Sequence, residues 1–412
     1  MMLRRLAILL SMVCSCCAES WYKGILHAHS YWSDGDVPPE EAIAWYRDRG
    51  YAFMSLTDHQ LLQTDTNRWK TVSEEIYAAY VQSNGVAWGR EQNKKKQIRL
   101  KTFAELAHLF NSKTFRLIPG NEANRKIGET QTHMNIINGD RAFLLPENIA
   151  SFDGFIHVEK EVRDYAKKNK RPMIFMLNHP DWVYFDIQPE ILLALPQITF
   201  YELCNSDGGA MFKPHAQWYN RDKFFDIVNA FRAEDGVQPL YGLGTDDAHS
   251  YRNPQGSSAP GHAWIMVRSD ALNAAALIHA MERGDFYVST GVTLADMRFM
   301  RNQLDVRVAP ESGVAYTIEF FTTKKGFDRS TTLFDDPARD KKPARIGKRY
   351  SDSIGCVVKT IKGTDATYTL DADDLYVRAR ITSTKRPAVR ASNEPEFTTA
   401  WTQPYLPRKG WF

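Results

Sequence analysis

Six histidines in the sequence fall at the ends of short apolar runs or just beyond them. They are His27, His29, His59, His133, His179 and His249, and carboxylates accompany them at Asp34, Glu122 and Asp247. Neutral imidazole and carboxylate suit Zn²⁺, Mn²⁺ or Fe²⁺. A single strand-end histidine is often a structural residue. Six of them together with three carboxylates predict a metal cluster.

The elements that position these residues are seven apolar runs, most of them followed by a helix-like segment. The runs cover residues 24–27, 51–58, 116–121, 133–137, 172–178, 198–205 and 239–246. Repeated strand–helix units predict a parallel sheet that is long enough to close into a barrel. The carboxyl ends of the strands in such a barrel open on one rim. The nine candidate ligands are therefore expected to converge there.

Helix boundaries and an insertion are also visible in the sequence. Pro38-Pro39 and Glu40-Glu41 predict a helix start, and Gly50 predicts its end. A last amphipathic helix is predicted between Asp270, as N-cap, and Gly284. Residues 64–101 are expected to be an insertion of mixed helix and loop.

The pattern changes to period-two alternation after the last helix. Leu304, Val306 and Val308 interleave with polar residues, and residues 375–382 do the same. Such alternation is typical of strands with one buried face. The sequence thus predicts a metal-binding barrel over residues 19–299 and an antiparallel β-sandwich over residues 300–412.

The first residues have the order of a secretory signal. Arg4 and Arg5 precede an apolar stretch from Leu6 to Val13, and residues 1–18 would be removed by cleavage near Ala18. The stretch is too short to span a membrane. Lipidation at Cys16 is an equally weighted alternative, because residues 13–16 resemble a bacterial lipobox. We expect an exported protein that is periplasmic, secreted or lipid-anchored at the cell surface.

Composition and charge exclude several classes of protein. The chain has 412 residues, of which 43% are hydrophobic and 25% charged, so a disordered protein or a small disulfide scaffold is excluded. The formal charge of +3 falls to about +1 without the two leader arginines. A nucleic-acid polymer is therefore not an expected partner. Cys204 and Cys356 are the cysteines that follow the leader. They are expected to be buried thiols rather than a disulfide framework, although an exported protein could oxidise them if they met in space.

Taken together, these motifs resemble those of the PHP (polymerase and histidinol phosphatase) superfamily. More narrowly, the chain is similar to the exported metallohydrolases of the CehA/McbA group. The resemblance covers nearly the whole mature chain. It rests on residues 27–30, 33–35, 57–59, 178–180 and 247–249, on Glu122 and His133, and on the segments 242–249, 263–267, 284–291, 374–380 and 400–404.

The resemblance implies a distorted (β/α)7 barrel and three metal positions. The first would take His27, His29, Glu122 and Asp247; the second would share Glu122 and add His133 and His179; the third would take Asp34, His59 and His249. Glu122, Asp247 and His249 are the predicted catalytic residues. The family spacing selects Asp247 over Asp246, and Asp246 and Asp58 are expected to support the ligands or to cap backbone groups.

These positions predict a hydrolase with two or three divalent ions, namely Zn, Mn or Fe. Three ions against three carboxylates leave a charge that a hydroxide and a phosphomonoester dianion together neutralise, whereas two ions suit a neutral substrate. The leading hypothesis is a phosphoesterase that uses a metal-bridging hydroxide to attack a phosphate mono- or diester. The expected substrate is a small-molecule or glycan-linked phosphate ester. Arg125 and Lys126 are candidate phosphate clamps, although an exposed loop pair is an equally good interpretation.

Two alternatives remain open at this stage. The same metal site could hydrolyse a carbamate, a carboxyl ester or an amide. The protein could instead be a surface glycan-binding protein in which the barrel is a scaffold. In that case Trp401 and Trp411 would stack on sugar rings, although such residues more often fill a core.

Overall fold

The structure is a computed structural model, and it describes residues 19–127, 130–147, 151–180, 187–205, 220–254, 256, 258–336, 345–387 and 397–407. The predicted signal segment, Cys16 and Trp411 lie outside these residues. Within the described residues, no helix is long and apolar enough to cross a membrane.

The strands fall into an N-terminal set that carries the candidate site and a C-terminal set. The first set is β1 (Ser20–Ile25), β2 (Phe53–Leu56), β3 (Trp69–Thr71), β4 (Gly89–Gln92), β5 (Lys95–Arg99), β6 (Arg116–Ile127), β7 (Thr130–Ile137), β8 (Ile174–Leu177), β9 (Phe200–Cys204), β10 (Tyr241–Gly244), β11 (Trp264–Ser269) and β12 (Phe286–Ser289). The second set is β13 (Leu294–Met300), β14 (Gln303–Val308), β15 (Tyr316–Thr322), β16 (Thr331–Asp336), β17 (Arg345–Tyr350), β18 (Cys356–Lys362), β19 (Asp365–Thr369), β20 (Arg378–Ser383) and β21 (Thr399–Thr402).

The helices separate strands mainly in the N-terminal part. They are α1 (Pro39–Arg47), α2 (Glu74–Asn84), α3 (Phe103–Phe110), α4 (Ser151–Asn169), α5 (Pro189–Ala194), α6 (Arg221–Glu234) and α7 (Ala274–Glu282), with a short 3₁₀ turn at Val86–Trp88. Helix α1 follows Pro38 with two acidic residues in its first turn, and Gly50 after it has φ +77°, as predicted. The N-cap of α7 is Asn273 rather than the predicted Asp270, because the Asn273 side chain accepts from the Ala276 amide.

All seven predicted strands are present, but they belong to an open sheet. Its thirteen strands lie in the order β10-β9-β8-β7-β6-β2-β1-β11-β12-β21-β20-β15-β18. The predicted closed barrel is therefore not confirmed. The physical reason is that β11 pairs antiparallel with the outer edge of β1. Closing the barrel would require β10 to pair along that same edge of β1. An isolated parallel bridge between Ala28 and Ala248 joins the segment after β1 to the segment after β10.

The sheet also departs from the predicted all-parallel arrangement at β7. Strands β1, β2 and β6 are parallel to one another, and so are β8, β9 and β10, but β7 is antiparallel to both of its neighbours. Only two residues separate β6 from β7, which is far too few for a crossover. The start of β7 consequently lies at the same edge of the sheet as the ends of the other strands.

The insertion at residues 64–101 contains more regular structure than predicted. Strands β3, β5 and β4 form a small antiparallel sheet, and α2 packs beside it. Its core includes Ile98 and Leu100 and is shared with Tyr31 and Trp32, which lie in the loop before α1. The indole of Trp32 donates to the carbonyl of Lys101 at 2.9 Å. The insertion is thus fixed to the loop that carries Asp34.

Seven of the nine C-terminal strands form two antiparallel layers around one apolar core, and β16 and β17 form a separate hairpin. Strands β13, β14 and β19 make one layer, and β21, β20, β15 and β18 make the other, which continues the large sheet through β12. Val306 and Leu304 from the first layer pack in the same core as Ile318 and Ile381 from the second. The predicted domain boundary between residues 299 and 300 falls within the β13–β14 hairpin.

Candidate metal centre

The nine predicted ligands come from six strands of the large sheet and from the loops that follow them. His27 and His29 follow β1, His59 follows β2, His179 follows β8, and Asp247 and His249 follow β10. Glu122 and His133 lie within β6 and β7, and Asp34 lies in the loop after β1. Because β7 is antiparallel, His133 near its start reaches the same edge as residues at the ends of the other strands.

Backbone hydrogen bonds hold these strand ends together. The amide of His29 donates to the carbonyl of Ala248 at 2.9 Å, and the amide of Asp247 donates to the carbonyl of His27 at 3.1 Å. His59 and Glu122 form a parallel bridge beyond the point where β2 and β6 pair regularly. Asp247 has φ +50°, a left-handed conformation that asparagine and aspartate adopt more readily than most residues. The ligands are therefore placed by main-chain pairing, which gives a rigid frame.

The first group is centred on His27 and His29. The Nε2 atoms of these imidazoles lie 2.9 and 3.0 Å from the same carboxylate oxygen, Oδ1 of Asp247. Oε2 of Glu122 lies 3.6 Å from Nε2 of His27 and 3.4 Å from Nε2 of His29. All four residues are buried. Their ligand atoms therefore face a common point, as the first predicted metal position requires.

The second group shares Glu122 with the first. Oε1 of Glu122 lies 2.8 Å from Nδ1 of His133 and 3.9 Å from Nε2 of His179. These three residues can each offer one ligand atom, and the three atoms lie within 4.8 Å of one another. Asn178 donates to the same Oε1 at 2.8 Å and holds the carboxylate in place. Glu122 is thus positioned to serve both groups through its two oxygens.

The third group is the one that reaches solvent. Oδ1 of Asp34 lies 3.3 Å from Nε2 of His249, and its Oδ2 lies 3.4 Å from Nε2 of His59. The Asp34 side chain is 57% exposed, whereas both histidine side chains are 20% exposed. His29 also approaches this group, with Nδ1 3.7 Å from Asp34. A molecule from solvent would meet this group before the other two.

Two of the candidate ligand atoms are buried without a hydrogen-bond partner among the described residues, as expected for atoms that bind a cation. Nε2 of His27 and Oε2 of Glu122 are fully buried, yet neither makes a hydrogen bond of acceptable geometry. Buried polar atoms rarely lack a partner, because leaving one unsatisfied costs about 1–3 kcal/mol. Both atoms point into the space between the ligands. This pattern is expected where a divalent ion completes the coordination, and the donors are all nitrogen and oxygen.

The neighbours of each imidazole determine its protonation in the metal-free cluster. Burial, together with the neighbouring imidazole of His249, lowers the pKa of His29 to about 4. Burial and His133 similarly lower the pKa of His179 to about 4. For His59, burial is outweighed by Glu122 and Asp34, which raise its pKa to about 11. Metal ligation needs neutral imidazole, so a bound ion would displace the proton of His59.

Supporting hydrogen bonds orient the imidazoles. Nδ1 of His249 lies 2.7 Å from the backbone carbonyl of Asp247, which leaves Nε2 facing Asp34. Nδ1 of His29 lies 3.2 Å from the hydroxyl of Ser33. Histidines that bind metals usually bond their second nitrogen in this way. These bonds therefore help to fix which nitrogen His29 and His249 present to the cluster.

The two predicted supporting carboxylates have different partners. Asp246 accepts from the backbone amides of Gly261, His262 and Ala263 and from the Tyr46 hydroxyl, so it anchors the start of β11 beside the cluster. Asp58 accepts from Ser30, Ser33 and Gln63 and thereby holds the loop that leads to Asp34. Both carboxylates are buried, and each fixes backbone next to a candidate ligand.

Glu202 contacts a predicted ligand, and sequence reasoning missed it. It lies in β9, is buried, and has one carboxylate oxygen 2.6 Å from Nδ1 of His27. The sequence does carry a signal, since Glu202 is the acidic residue within the otherwise uncharged run at 198–205. A charged residue that is buried in such a run needs a partner, because an unpaired charge is costly to bury. The partner histidine lies 175 positions away, so spacing alone did not connect the two.

The predicted phosphate clamp has a different geometry in the structure. The Arg125 guanidinium donates to the carbonyl of Pro146 at 2.5 Å and to that of Leu145 at 3.4 Å. Three positions separate Arg125 from Glu122 on the same strand, which places the two on opposite faces. Arg125 is thus engaged away from the cluster, and the side chain of Lys126 lies outside the described part of the chain.

Trp401, one of the two predicted sugar-stacking residues, is buried. Its side chain is in the main apolar core, and its indole donates to Asp222 at 3.1 Å. A ring in that position cannot stack on a glycan at the surface. The core interpretation of this tryptophan is therefore the correct one.

Comparisons with known proteins give distant matches among solved structures. No protein-family profile and no curated protein matches the chain. The chain is similar to a two-domain protein from Bacteroides vulgatus that contains a predicted PHP-like metal-dependent phosphoesterase, with 13% identity, coverage of 94% of this chain and 95% of that chain, and a TM-score of 0.39. It is also similar to a predicted metal-dependent phosphoesterase from Bifidobacterium adolescentis (12% identity, 57% and 89% coverage, TM-score 0.28). A third match is an amidohydrolase from Chromobacterium violaceum with bound sulfate and no metal (14% identity, 55% and 87% coverage, TM-score 0.28). At identities and TM-scores this low, the functional argument rests on the motifs and the site geometry.

Proposed function

We propose that this protein is a metal-dependent hydrolase of phosphate esters, of the PHP type and similar to the CehA/McbA group. Its nine ligands would hold two or three divalent ions, with Zn, Mn and Fe as the candidate metals. The observation that carries the proposal is the arrangement of three ligand groups around shared residues, with Glu122 common to two of them. Ligand groups that share a carboxylate would hold divalent ions close together, as in two-metal phosphatases and nucleases and also in aminopeptidases.

The residues of the chain have distinct parts in this proposal. When bound, the ions would act as Lewis acids and activate a water molecule. Glu122 and Asp247 bring negative charge to the buried side of the cluster and hold its imidazoles in register. Asp34, His59 and His249 form its solvent-facing side. We therefore expect the substrate to approach over the third group.

A cation at this open side would favour an anionic substrate. Lys70, in β3 of the insertion, has its ammonium 3.2 Å from the carbonyl of Ser33, the residue just before Asp34. It is partly exposed and lies 5.2 Å from the ring centre of Tyr31. We assign to Lys70 the role that the sequence had suggested for Arg125, because a charged nitrogen there can contact a bound phosphate ester.

Charge counting does not choose between phosphate and neutral substrates. Three more carboxylates, Asp58, Glu202 and Asp246, are buried beside the predicted ligands. They add negative charge that a count over Asp34, Glu122 and Asp247 leaves out. The choice therefore depends on a direct comparison of substrates.

The deciding experiment is a substrate panel assayed with metal-loaded protein. The panel contains phosphomonoesters, phosphodiesters, carboxyl esters, carbamates and amides, and each is also assayed with the Asp247→Asn variant. We expect phosphate-ester hydrolysis that falls by more than about 100-fold in the variant, since even the loss of a supporting residue at a metal site typically costs 10–100-fold. Asp335→Asn, at an exposed strand position, is the matched control and should retain activity.

Two outcomes would overturn the proposal. Phosphate-ester turnover that is equal in the wild type and in Asp247→Asn would show that the cluster does not carry the reaction. Selective turnover of a carbamate, carboxyl ester or amide would assign the alternative reaction to the same site. Export from the cell is proposed together with this function, and processing of residues 1–18 can be followed by the mass of the mature N-terminus.

A further inference from the structure

We propose that Glu202 is a positioning residue that selects the tautomer of His27 and ties two ligand groups together. This inference rests on the proposed metal centre but not on the identity of its substrate. Glu202 is not one of the nine predicted ligands, and it touches none of the solvent-facing residues of the third group in the described structure. Its contacts are all with the buried side of the cluster.

The carboxylate of Glu202 receives four short contacts, two at each oxygen. Oε1 lies 2.6 Å from Nδ1 of His27 and 2.7 Å from the hydroxyl of Thr245. Oε2 accepts from the backbone amide of His179 at 2.6 Å and from the side-chain amide of Asn205 at 2.6 Å. One side chain of β9 thus connects the ends of β1, β8 and β10.

These contacts determine the state of the His27 ring. An ionised carboxylate only accepts hydrogen bonds, so Nδ1 of His27 must carry the proton in the contact with Oε1. The lone pair of a neutral His27 ring is then on Nε2, the atom that faces Asp247 and Glu122. The other tautomer would point an N–H at the metal position. Glu202 therefore prepares His27 to bind a cation through Nε2.

The contact with His179 extends this effect to the second group. Glu202 accepts from the backbone amide of His179 and does not contact its ring. It therefore fixes the position of the His179 backbone and does not select the ring nitrogen that faces the cluster. Glu202 thereby sets the distance between His27 in the first group and His179 in the second.

Glu202→Gln tests this inference because the amide cannot satisfy all four donors. A glutamine has one oxygen and one NH₂ group, so one of the two pairs of donors must face an N–H. If the NH₂ faces His27, then Nδ1 must accept and the proton moves to Nε2. If it faces the other pair, the His179 amide loses its acceptor. Either choice weakens a ligand group without altering the size of the side chain.

The primary readout is metal affinity, measured for Zn²⁺ and Mn²⁺ by competition with a chelating dye. We expect Glu202→Gln to bind Zn²⁺ about 10–100-fold more weakly than the wild type. Glu159→Gln is the matched control, because Glu159 is a buried carboxylate on α4 that pairs with Arg163 away from the cluster. It should leave the affinity unchanged. Thermal unfolding of each metal-free variant establishes that it is folded.

A second readout follows the tautomer itself. Long-range ¹H–¹⁵N spectra of the Zn²⁺-loaded protein distinguish a histidine bound through Nε2 from one bound through Nδ1, and the His27 signal is identified by its loss in His27→Gln. We expect an Nδ1–H, Nε2-bound pattern for His27 in the wild type. In Glu202→Gln we expect its loss where the NH₂ group faces His27, and weaker Zn²⁺ binding with the pattern retained where the NH₂ group faces the His179 amide. Glu202→Asp, which retains two accepting oxygens, should keep this pattern and lose less affinity than the glutamine variant.

Three results would overturn the inference. They are unchanged Zn²⁺ affinity in Glu202→Gln, a wild-type His27 that binds Zn²⁺ through Nδ1, and an equal loss of affinity in Glu202→Asp. Failure of the proposed function would look different. A wild type that binds Zn²⁺ but hydrolyses no phosphate ester would reject the phosphoesterase and leave the assignment of Glu202 intact.

Discussion

At the scale of single residues, the candidate site is a set of imidazoles whose neighbours decide how they behave. His29 and His179 are buried among other imidazoles, whereas His27 and His59 face carboxylates. The sequence predicted the nine residues because imidazoles and carboxylates recur at strand ends. It did not predict Glu202, because the link between Glu202 and His27 exists only in three dimensions.

The lowered pKa values of two histidines predict how the metal-free protein responds to acid. The pKa values of His29 and His179 are about 4 in the folded chain, against about 6.5 for an exposed imidazole. The unfolded chain therefore binds more protons below pH 6.5, and the free energy of unfolding should decrease between pH 6.5 and pH 4. Full titration of each ring costs about 3 kcal/mol, since one pKa unit corresponds to about 1.4 kcal/mol.

Urea unfolding in the presence of a chelator, repeated from pH 8 to pH 4, measures this effect. His179→Gln removes one titrating ring and should make stability less dependent on pH in the acid range. His108→Gln replaces an exposed helical histidine and should leave the dependence as in the wild type. An unaltered pH dependence in His179→Gln would contradict the assignment of a buried neutral ring.

Lys70 gives a second prediction at the residue scale. Lys70→Ala should raise KM for a phosphate ester about tenfold, which corresponds to the roughly 1.4 kcal/mol expected from one charge-assisted hydrogen bond. The kcat should change little, because the contact is made equally in the ground state and in the transition state. Lys96→Ala is the control, since Lys96 pairs with Glu91 at 2.9 Å in the same small sheet. Equal KM values for the two variants would remove Lys70 from the binding site.

At the scale of elements, the strands were predictable and their directions were not. The apolar runs identified all seven strands of the site, because burial on both faces produces continuous apolar sequence. The run at 116–121 ended before the polar half of β6, which includes Glu122 and Arg125. That polar half pairs with β7 as a hairpin, so the sequence pattern concealed both the short connection and the antiparallel direction of β7.

The contact between α6 and β20 gives a prediction about stability. Arg378 of β20 is fully buried, with Nη1 3.0 Å from Asp222 and Nε donating to Asp226 at 2.7 Å, both residues of α6. Arg378→Met should lower the free energy of unfolding by about 3–5 kcal/mol, because it leaves two buried carboxylates without their main counter-charge. Arg380→Met, which removes a partly exposed guanidinium bound to Asp222 and Glu319, should cost less.

Urea denaturation of the two arginine variants at neutral pH compares these costs directly. An equal loss in both variants would mean that the buried pair does not hold the C-terminal strands against α6. Metal binding by the two variants under native conditions should remain close to that of the wild type, since neither arginine contacts a predicted ligand.

At the scale of the whole molecule, one continuous sheet runs from the candidate site to the C-terminal strands. Strand β21 pairs with β12, and Gln403 just beyond it makes two hydrogen bonds with the backbone of Gly242 in β10. The sequence predicted two separate architectures because its pattern changes near residue 285. It could not show that a strand from the end of the chain returns to the first sheet, since that pairing joins residues more than one hundred positions apart.

The near-neutral net charge of the chain conceals an uneven distribution of charge. The formal charge of +3 averages over a cluster in which Asp34, Glu122 and Asp247 lie among six histidines. Divalent ions bound there would make this edge of the protein more positive than the amino-acid count indicates. An anionic substrate would be attracted to such an edge.

The most direct test of the central claim is the metal content of the purified protein after equilibrium dialysis, measured by elemental analysis. The wild type should retain two or three divalent ions per chain, and His133→Ala should retain about one fewer, because that residue serves the second group alone. His108→Ala should match the wild type. A wild type that retains no stoichiometric metal, or a His133→Ala variant that retains as much as the wild type, would contradict the account.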